Sequence, residues 1–239
     1  MKQADLEQLL TVQEHDTALD RLRHRRATLP ARAELDSAMN ELRAQQHARV
    51  DVQARRDTVH AEERRLDDEA RSITEHANDV DKRLYSGTIS SPRELQAMQA
   101  DLEMLRRQVA ELEDQELEVM EQREVLDGEL SALDASITSL EERARELRAT
   151  IASAETEIDA EITEESAARA DAAAPLPDML VRDYERRRAQ NKGAGAARLV
   201  GTTCHACHLT IPSTEAERIR RAGGAEVAYC DNCGAILVP

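Results

Sequence analysis

Apolar residues recur along the middle of this chain at alternating spacings of three and four. From Leu95 they run through Met98, Leu102, Leu105, Val109 and Leu112, then Val119, Leu126, Leu130, Leu133, Ile137 and Leu140. They continue through Ala144, Leu147, Ile151, Ala154 and Ile158. A seven-residue apolar period held this long predicts a helix that supercoils left-handedly about a partner, because only an underwound helix keeps such a stripe facing inward. Glu116 and Arg123 interrupt the stripe at seam positions, where polar residues are expected to fix register at some cost in stability. The helix start is marked by Ser91 as N-cap, Pro92 at the first helical position and Glu94 completing a capping box.

The partner stripe lies upstream. Leu6, Leu9, Leu19, Leu22, Leu29, Leu35, Met39 and Leu42 fit an amphipathic helix, and Val52, Val59, Leu66, Ile73 and Val80 follow one heptad line that closes at Leu84. Pro30 interrupts this run, and a kink or a restart is expected there, since an interior proline loses a backbone hydrogen bond and clashes with the preceding turn. Tyr85–Ser91, with Gly87 inside it, is long enough only for a reversal. The expected architecture is mostly α, with a long antiparallel coiled-coil hairpin over 1–171 and its tip at 85–91. Pro175 and Pro177 end the coil. Residues 172–195 read as a linker with a short helix, Asp178–Asn191, stopped at Asn191-Lys192-Gly193.

From 196 to 239 the pattern changes to short runs. Strands are expected at Ala197–Val200, Leu209–Ile211, Glu226–Tyr229 and Ala235–Val238. A capping box at Thr214–Glu217 is expected to open a short helix through Arg221, and Gly223-Gly224 to turn the chain.

This last segment holds all four cysteines, as Cys204-x2-Cys207 and Cys230-x2-Cys233, with 22 residues between the pairs. Each CxxC bends the backbone so that two sulfurs converge, and the second pair closes a tetrahedral shell. One Zn²⁺ per chain in a small C-terminal zinc ribbon is the expectation; iron in a rubredoxin-like site would use the same ligands. Four thiolates leave no position open for water or substrate, which points to a structural metal. Met1–Gln13 lacks the apolar run of a secretory leader, so a reducing compartment favours thiolates over disulfides. Cys204-His205-Ala206-Cys207-His208 also reads as the CxxCH pattern of haem attachment, but that reading leaves Cys230 and Cys233 without a purpose. His205 and His208 are read as knuckle residues, because four sulfurs suffice.

Composition narrows the rest. Phe and Trp are absent, Tyr occurs at 85, 184 and 229, and charged residues make up 33 % of the 239 residues. The net charge of −16 is uneven: 178–239 carries nine Lys/Arg against seven Asp/Glu, which leaves −18 on 1–177. No apolar run approaches the ~20 residues that span a membrane, so a cytoplasmic protein is expected. Arg186, Arg187, Arg188, Lys192, Arg198, Arg218, Arg220 and Arg221 are candidate phosphate contacts, against the alternative that arginines near helix ends complement the dipole. Without Phe or Trp there is little platform for stacking bases. The acidic hairpin suits a basic protein surface, with Tyr85, Ser86, Gly87, Thr88 and Ile89 at its tip as the candidate docking residues. No phosphate-binding glycine loop or nucleophile arrangement is present, and an enzyme is not expected.

Two stretches carry a resemblance. Leu84-Tyr85-Ser86-Gly87-Thr88-Ile89-Ser90-Ser91-Pro92-Arg93-Glu94-Leu95-Gln96-Ala97 and Cys230-Asp231-Asn232-Cys233-Gly234-Ala235-Ile236-Leu237 resemble a bacterial family of four-cysteine zinc-ribbon proteins with a long N-terminal coiled coil. The resemblance implies an antiparallel hairpin joined to a ribbon, with Cys204, Cys207, Cys230 and Cys233 as metal ligands. Relatives in flagellated and in obligate intracellular bacteria bind the sigma-54 factor of RNA polymerase, and a flagellar relative also binds mRNA. The expected role is therefore a non-enzymatic adaptor or regulator that binds a transcription or translation factor, compatible with RNA contact by the ribbon. Direct binding of RNA or DNA through the basic residues is the alternative. Monomer and homodimer both stay open.

Overall fold

A computed structural model describes residues 2–224 and 226–239; Met1, where the expected hairpin opens, and Ala225 lie outside them. The helices are α1 (Gln3–Ala27), α2 (Pro30–Leu84), α3 (Pro92–Ala173), α4 (Asp178–Gln190) and α5 (Ser213–Ala222). The strands are β1 (Ala196–Val200), β2 (Thr203–Cys204), β3 (Ala228–Tyr229) and β4 (Ile236–Val238). Pro30 restarts the helix. α1 ends at Ala27 with Thr28 as C-cap, and the proline takes the first position of α2, where its missing N–H costs nothing. Pro92 does the same for α3, with the Ser91 carbonyl accepting from the Leu95 N–H at 3.1 Å.

The chain forms two compact units, Met1–Ala33 with Leu147–Pro239, and Glu34–Glu146. In the second, α2 and α3 are antiparallel: Glu34 pairs with Arg143, Arg49 with Asp134, Arg56 with Asp127 and Asp81 with Arg106. Near the tip Ala77, Val80 and Leu84 pack on Leu102 and Leu105. Farther along, no α3 residue from Arg106 to Val125 is fully buried. There the seam guanidinium of Arg123, 29 % exposed, donates to Glu63, 13 % exposed, at 2.7 Å. A half-buried pair spanning the two helices penalises every shifted register, which is the effect expected of a polar seam residue.

In the first unit α1 lies along the last turns of α3, bridged by Arg25–Glu161, Arg26–Asp159 and His15–Glu165. One core joins Leu6, Leu9 and Val12 of α1 to Ala172, Leu176, Leu180 and Tyr184, and both to Ala196, Ile236 and Val238 of the sheet. The strand order is β2-β1-β4-β3, with β1 parallel to β4 and the other pairs antiparallel.

Three local expectations are corrected. Leu209–Ile211 contributes a single bridge, Thr203 to Thr210, and not a strand. Its backbone is used to close the first knuckle, with the Leu209 carbonyl accepting from Cys204 N–H at 3.1 Å and the Ile211 N–H donating to Thr202 at 2.8 Å. Pro212, not Thr214, is the N-cap of α5, and no side chain caps it; its carbonyl accepts from the Glu215 and Ala216 N–H groups. Thr214 is therefore already inside the helix. α4 stops at Gln190, and the left-handed turn after it begins at Lys192, φ +48°, one residue ahead of Gly193.

Gly195 lies directly against Tyr184 of α4. A Cβ there would lie 2.5 Å from the Tyr184 ring and 2.8 Å from the Tyr184 carbonyl oxygen. Gly195→Ala is expected to lower stability by about 1–3 kcal/mol, the usual cost of overpacking, read from the shift of the denaturation midpoint. Gly128→Ala, within α3 with nothing within 4 Å, should instead raise it by roughly 0.5–1 kcal/mol. Equal shifts in the two variants would contradict the packing.

Candidate metal centre

The two CxxC segments fold with one wiring. Cys204 N–H donates to the Leu209 carbonyl at 3.1 Å and His208 N–H to the Cys204 carbonyl at 2.8 Å. Cys230 N–H donates to the Ala235 carbonyl at 2.9 Å and Gly234 N–H to the Cys230 carbonyl at 2.7 Å. The residue four after the first cysteine is left-handed in both, His208 at φ +58° and Gly234 at φ +76°. Glycine adopts this freely, whereas His208 carries a strain of about 1–2 kcal/mol.

The knuckles bring Cys204 Sγ to 3.9 Å from Cys233 Sγ and Cys207 Sγ to 3.8 Å from Cys230 Sγ, and all four sulfurs lie within 4.8 Å of one another. A tetrahedral ion with metal–sulfur bonds of about 2.3 Å requires sulfur separations of about 3.8 Å, so the donor set fits Zn²⁺. The separations are about twice a disulfide bond, and all four cysteines are free. The exposed His205 and His208, rings 6.3 Å apart, are not part of the cluster among the described residues. Burial pushes the Cys204 thiol up, and that of Cys233 up to about 12, whereas the Leu209 N–H pulls Cys207 down. A dication offsets both the desolvation and the mutual repulsion of four thiolates, which supplies the chemistry of a structural site. Around it pack Ala197, Leu199, Ile211, Ala216, Ile219 and Leu237.

The basic residues are spread over α4, the turn after it, β1 and α5, and most already have partners. Arg187 donates to Asp183 at 3.1 Å and to the Gly234 carbonyl at 2.7 Å, with its guanidinium 3.6 Å above the Tyr229 ring; the Tyr229 hydroxyl also donates to Asp183 at 3.1 Å. This clamp fastens α4 to the second knuckle. Burial works to raise the Asp183 pKa, but Arg187, Tyr229 and Arg186 together outweigh it and hold the carboxyl below its ordinary value. Arg186 pairs with Asp183, Arg188 with Asp20 at 2.6 Å, and Arg198 with Glu7 at 2.9 Å. On α5, Arg218 pairs with Glu215, and Arg220 and Arg221 with Glu217. Lys192 has no carboxylate within ion-pair distance among the described residues.

Asp16 is a structural residue that the sequence reading passed over. Its side chain is 6 % exposed, accepts from the Tyr184 hydroxyl at 2.7 Å and from Arg169 at 3.4 Å, and lies 3.6 Å from Arg188. The signal was present: Leu9, Val12, Asp16 and Leu19 keep the 3-4-3 spacing of a seam, with an acid in a core position. At the hairpin tip Tyr85 is 78 % exposed and Ser86, Gly87 and Thr88 are exposed, while Ile89 is half-buried. No described helix is long and apolar enough to cross a membrane.

Comparison with known proteins matches residues 12–192 to a CT398-like coiled coil hairpin domain and residues 203–237 to a C4-type zinc ribbon domain. An uncharacterized protein of Mycobacterium tuberculosis is 31 % identical over 230 residues, covering 96 % of this chain and 93 % of that one. A solved structure from Mycobacterium smegmatis superposes with a TM-score of 0.86 at 29 % identity, covering 100 % of this chain and 99 % of that one. The HP0958 protein of Helicobacter pylori gives 0.53 at 17 % identity, with 98 % and 96 % covered. CT398 of Chlamydia trachomatis gives 0.52 at 18 % identity, with 98 % and 97 % covered. At such identities the last two show a shared fold.

Proposed function

Because this chain belongs to the CT398-like coiled-coil hairpin family and continues into a C4-type zinc ribbon, we propose that it is a non-enzymatic cytoplasmic adaptor. Its hairpin docks a protein of the transcription or translation machinery, and its metal-folded ribbon anchors α1 and α4. The observation that carries this reading is the hairpin tip. Tyr85, 78 % exposed, stands in an uncharged loop, within a unit, Glu34–Glu146, that has 29 Asp/Glu against 15 Lys/Arg. A large exposed aromatic has the character of an interface anchor, and the surrounding acidity favours a basic partner. The closed thiolate shell supports a role without catalysis.

Direct RNA or DNA binding through the basic residues has weaker support, because phosphates would have to displace the chain's own carboxylates. On α5 that displacement is easiest, because those pairs are exposed and screened by water. The test is crosslinking and affinity capture in the native cell, comparing the wild type with a chain whose residues 85–89 are replaced by a Gly-Ser loop. The adaptor reading expects a partner protein that survives nuclease treatment and disappears with the tip, at unchanged helicity and metal content. A partner retained by the tip variant, or lost to nuclease, would overturn it.

A further inference from the structure

β3 is the last strand of the sheet, so one of its sides has no neighbouring strand. The register decides which backbone groups face that side. Cys230 N–H donates to the Ala235 carbonyl at 2.9 Å, and Ala228 stands opposite Leu237, two residues along the ladder. Tyr229 and Ile236, between these two hydrogen-bonded pairs, form a non-hydrogen-bonded pair. The Ile236 N–H agrees with this: it goes to the Gly195 carbonyl at 2.9 Å, on the β1 side of β4. The Tyr229 N–H and C=O therefore point away from β4, into the open edge. Its ring lies under Arg187 and its hydroxyl donates to Asp183, yet the residue stays 39 % exposed.

A groove of about 590 Å³ opens here, between α4 and the residues Val227 and Tyr229. No β4 residue lines it, which places it at the edge rather than over the sheet. Leu180, buried, and Val227, half-buried, give it an apolar wall, and Met179 beside them is 85 % exposed. Arg182 and Arg186 continue the same face of α4. Arg182 is exposed and has no carboxylate within ion-pair distance among the described residues. Asp183 is the one acid in the lining, and Arg186, Arg187 and the Tyr229 hydroxyl already engage it. Three further acids flank the groove without lining it: Asp178, Glu185, which pairs with Arg169, and Glu226, 3.8 Å from Arg218. Two guanidinium groups thus stand in the lining against one committed carboxylate.

We propose that this edge binds an extended segment of another protein, one that carries an apolar side chain and carboxylates at alternate positions. The segment joins β3 as an added strand, with the Tyr229 N–H and C=O holding its backbone. Its side chains facing α4 recur about every 6.8 Å, so two or three of them cover the roughly 10 Å of helix between Met179 and Arg186. The apolar one meets Met179, Leu180 and Val227; the carboxylates meet Arg182 and Arg186. A nucleic-acid strand does not match this edge, because the edge offers an acceptor beside its donor and phosphates only accept. β3 is two residues long, so few backbone bonds are available and the groove side chains supply the rest of the recognition. The surface lies in the first unit, whereas the hairpin tip belongs to the second, and it stands independently of the adaptor reading. Cys230 directly follows Tyr229, so the edge keeps its shape only while the metal holds the second knuckle.

Calorimetric titration of the zinc-loaded full chain with the peptide acetyl-Thr-Leu-Thr-Glu-Thr-Glu-Thr-amide, and with its reversed sequence, tests this. Saturable one-to-one binding of either is expected, the tighter one giving the strand direction, together with slower amide exchange at Tyr229. Met179→Ala combined with Arg182→Ala, both exposed positions, should weaken binding about tenfold at unchanged stability. Gln in place of both Glu residues of the peptide should weaken it about fivefold, and N-methylation of the peptide's internal amides about tenfold or more. Arg218→Ala with Arg220→Ala on α5, and replacement of the tip residues 85–89, should each leave it within about twofold. No saturable binding below about 1 mM, or binding indifferent to the Met179 and Arg182 changes, would overturn the site. Binding unchanged by N-methylation would show side-chain adhesion without strand pairing and would overturn it too. So would a dimer in sedimentation whose Tyr229 amide is already protected, since the edge would then belong to a second copy of the chain.

Discussion

Cys230→Ser, or removal of the metal by a chelator, is expected to unfold the ribbon while leaving most of the helical signal in place. The ribbon core is built from alanines and a few aliphatic side chains around two buried cysteines, and so small a core rarely stabilises a fold by more than about 3–5 kcal/mol. Structural zinc contributes roughly 10–16 kcal/mol at neutral pH, so the ion decides whether this segment folds. The Glu34–Glu146 unit keeps its own packing near the tip and should hold its helicity. α1 should not escape: Leu6, Leu9 and Val12 rest against Ala196, Ile236 and Val238, so amide exchange should accelerate through Gln3–Ala27 as well as through the ribbon. In the unfolded, metal-free segment the four cysteines are mostly thiols at neutral pH. The ion must therefore displace protons, and its affinity should fall as pH falls. Metal content with residue-resolved amide exchange checks this; ribbon amides that stay protected in stripped protein would refute it.

Asp16→Ala should produce the next largest loss, about 3 kcal/mol. Asp16 serves the Tyr184 hydroxyl, Arg169 and Arg188 from a position almost without solvent, and deleting one partner of a buried charge network costs about 3–5 kcal/mol. The low end applies because Arg169 keeps Glu185 and Arg188 keeps Asp20. Asp16→Asn retains the shape and an acceptor for the hydroxyl, so its loss should be roughly half as large. Burial first, then the hydrogen bond to Asp16 and its charge, hold the Tyr184 hydroxyl pKa above its ordinary value. In Asp16→Ala the tyrosine should therefore ionise at lower pH, visible by absorbance. A stability loss below about 1 kcal/mol would show that the network is not structural.

Much of this was legible because it is local. Pro30 and Pro92 start helices wherever the chain lies, since a fixed φ and a missing N–H suit a first turn and nothing later. Two CxxC pairs dictate converging sulfurs through the same short backbone loop twice. The heptad stripe dictates a partner helix, and Tyr85–Ser91 is too short for that partner to be anything but antiparallel. Where local signals compete, the reading slipped. Leu209–Ile211 has a strand's composition, but its backbone is spent on the knuckle. Thr214–Glu217 has a capping box, but Pro212 starts the helix first.

The sequence by itself determined the hairpin, the four sulfur ligands and the placement of acidic charge, because periodicity and ligand spacing act over a few residues. Only the tertiary structure decided what the charges do. Arg188 meets Asp16 across 172 residues and Asp20 across 168, and Arg198 meets Glu7 across 191. Arg187 is held by the second knuckle, while Arg182 and Arg186 come to line a groove with Val227. A cation's availability depends on which carboxylate the fold brings within a few ångströms, and no spacing along the chain records that distance.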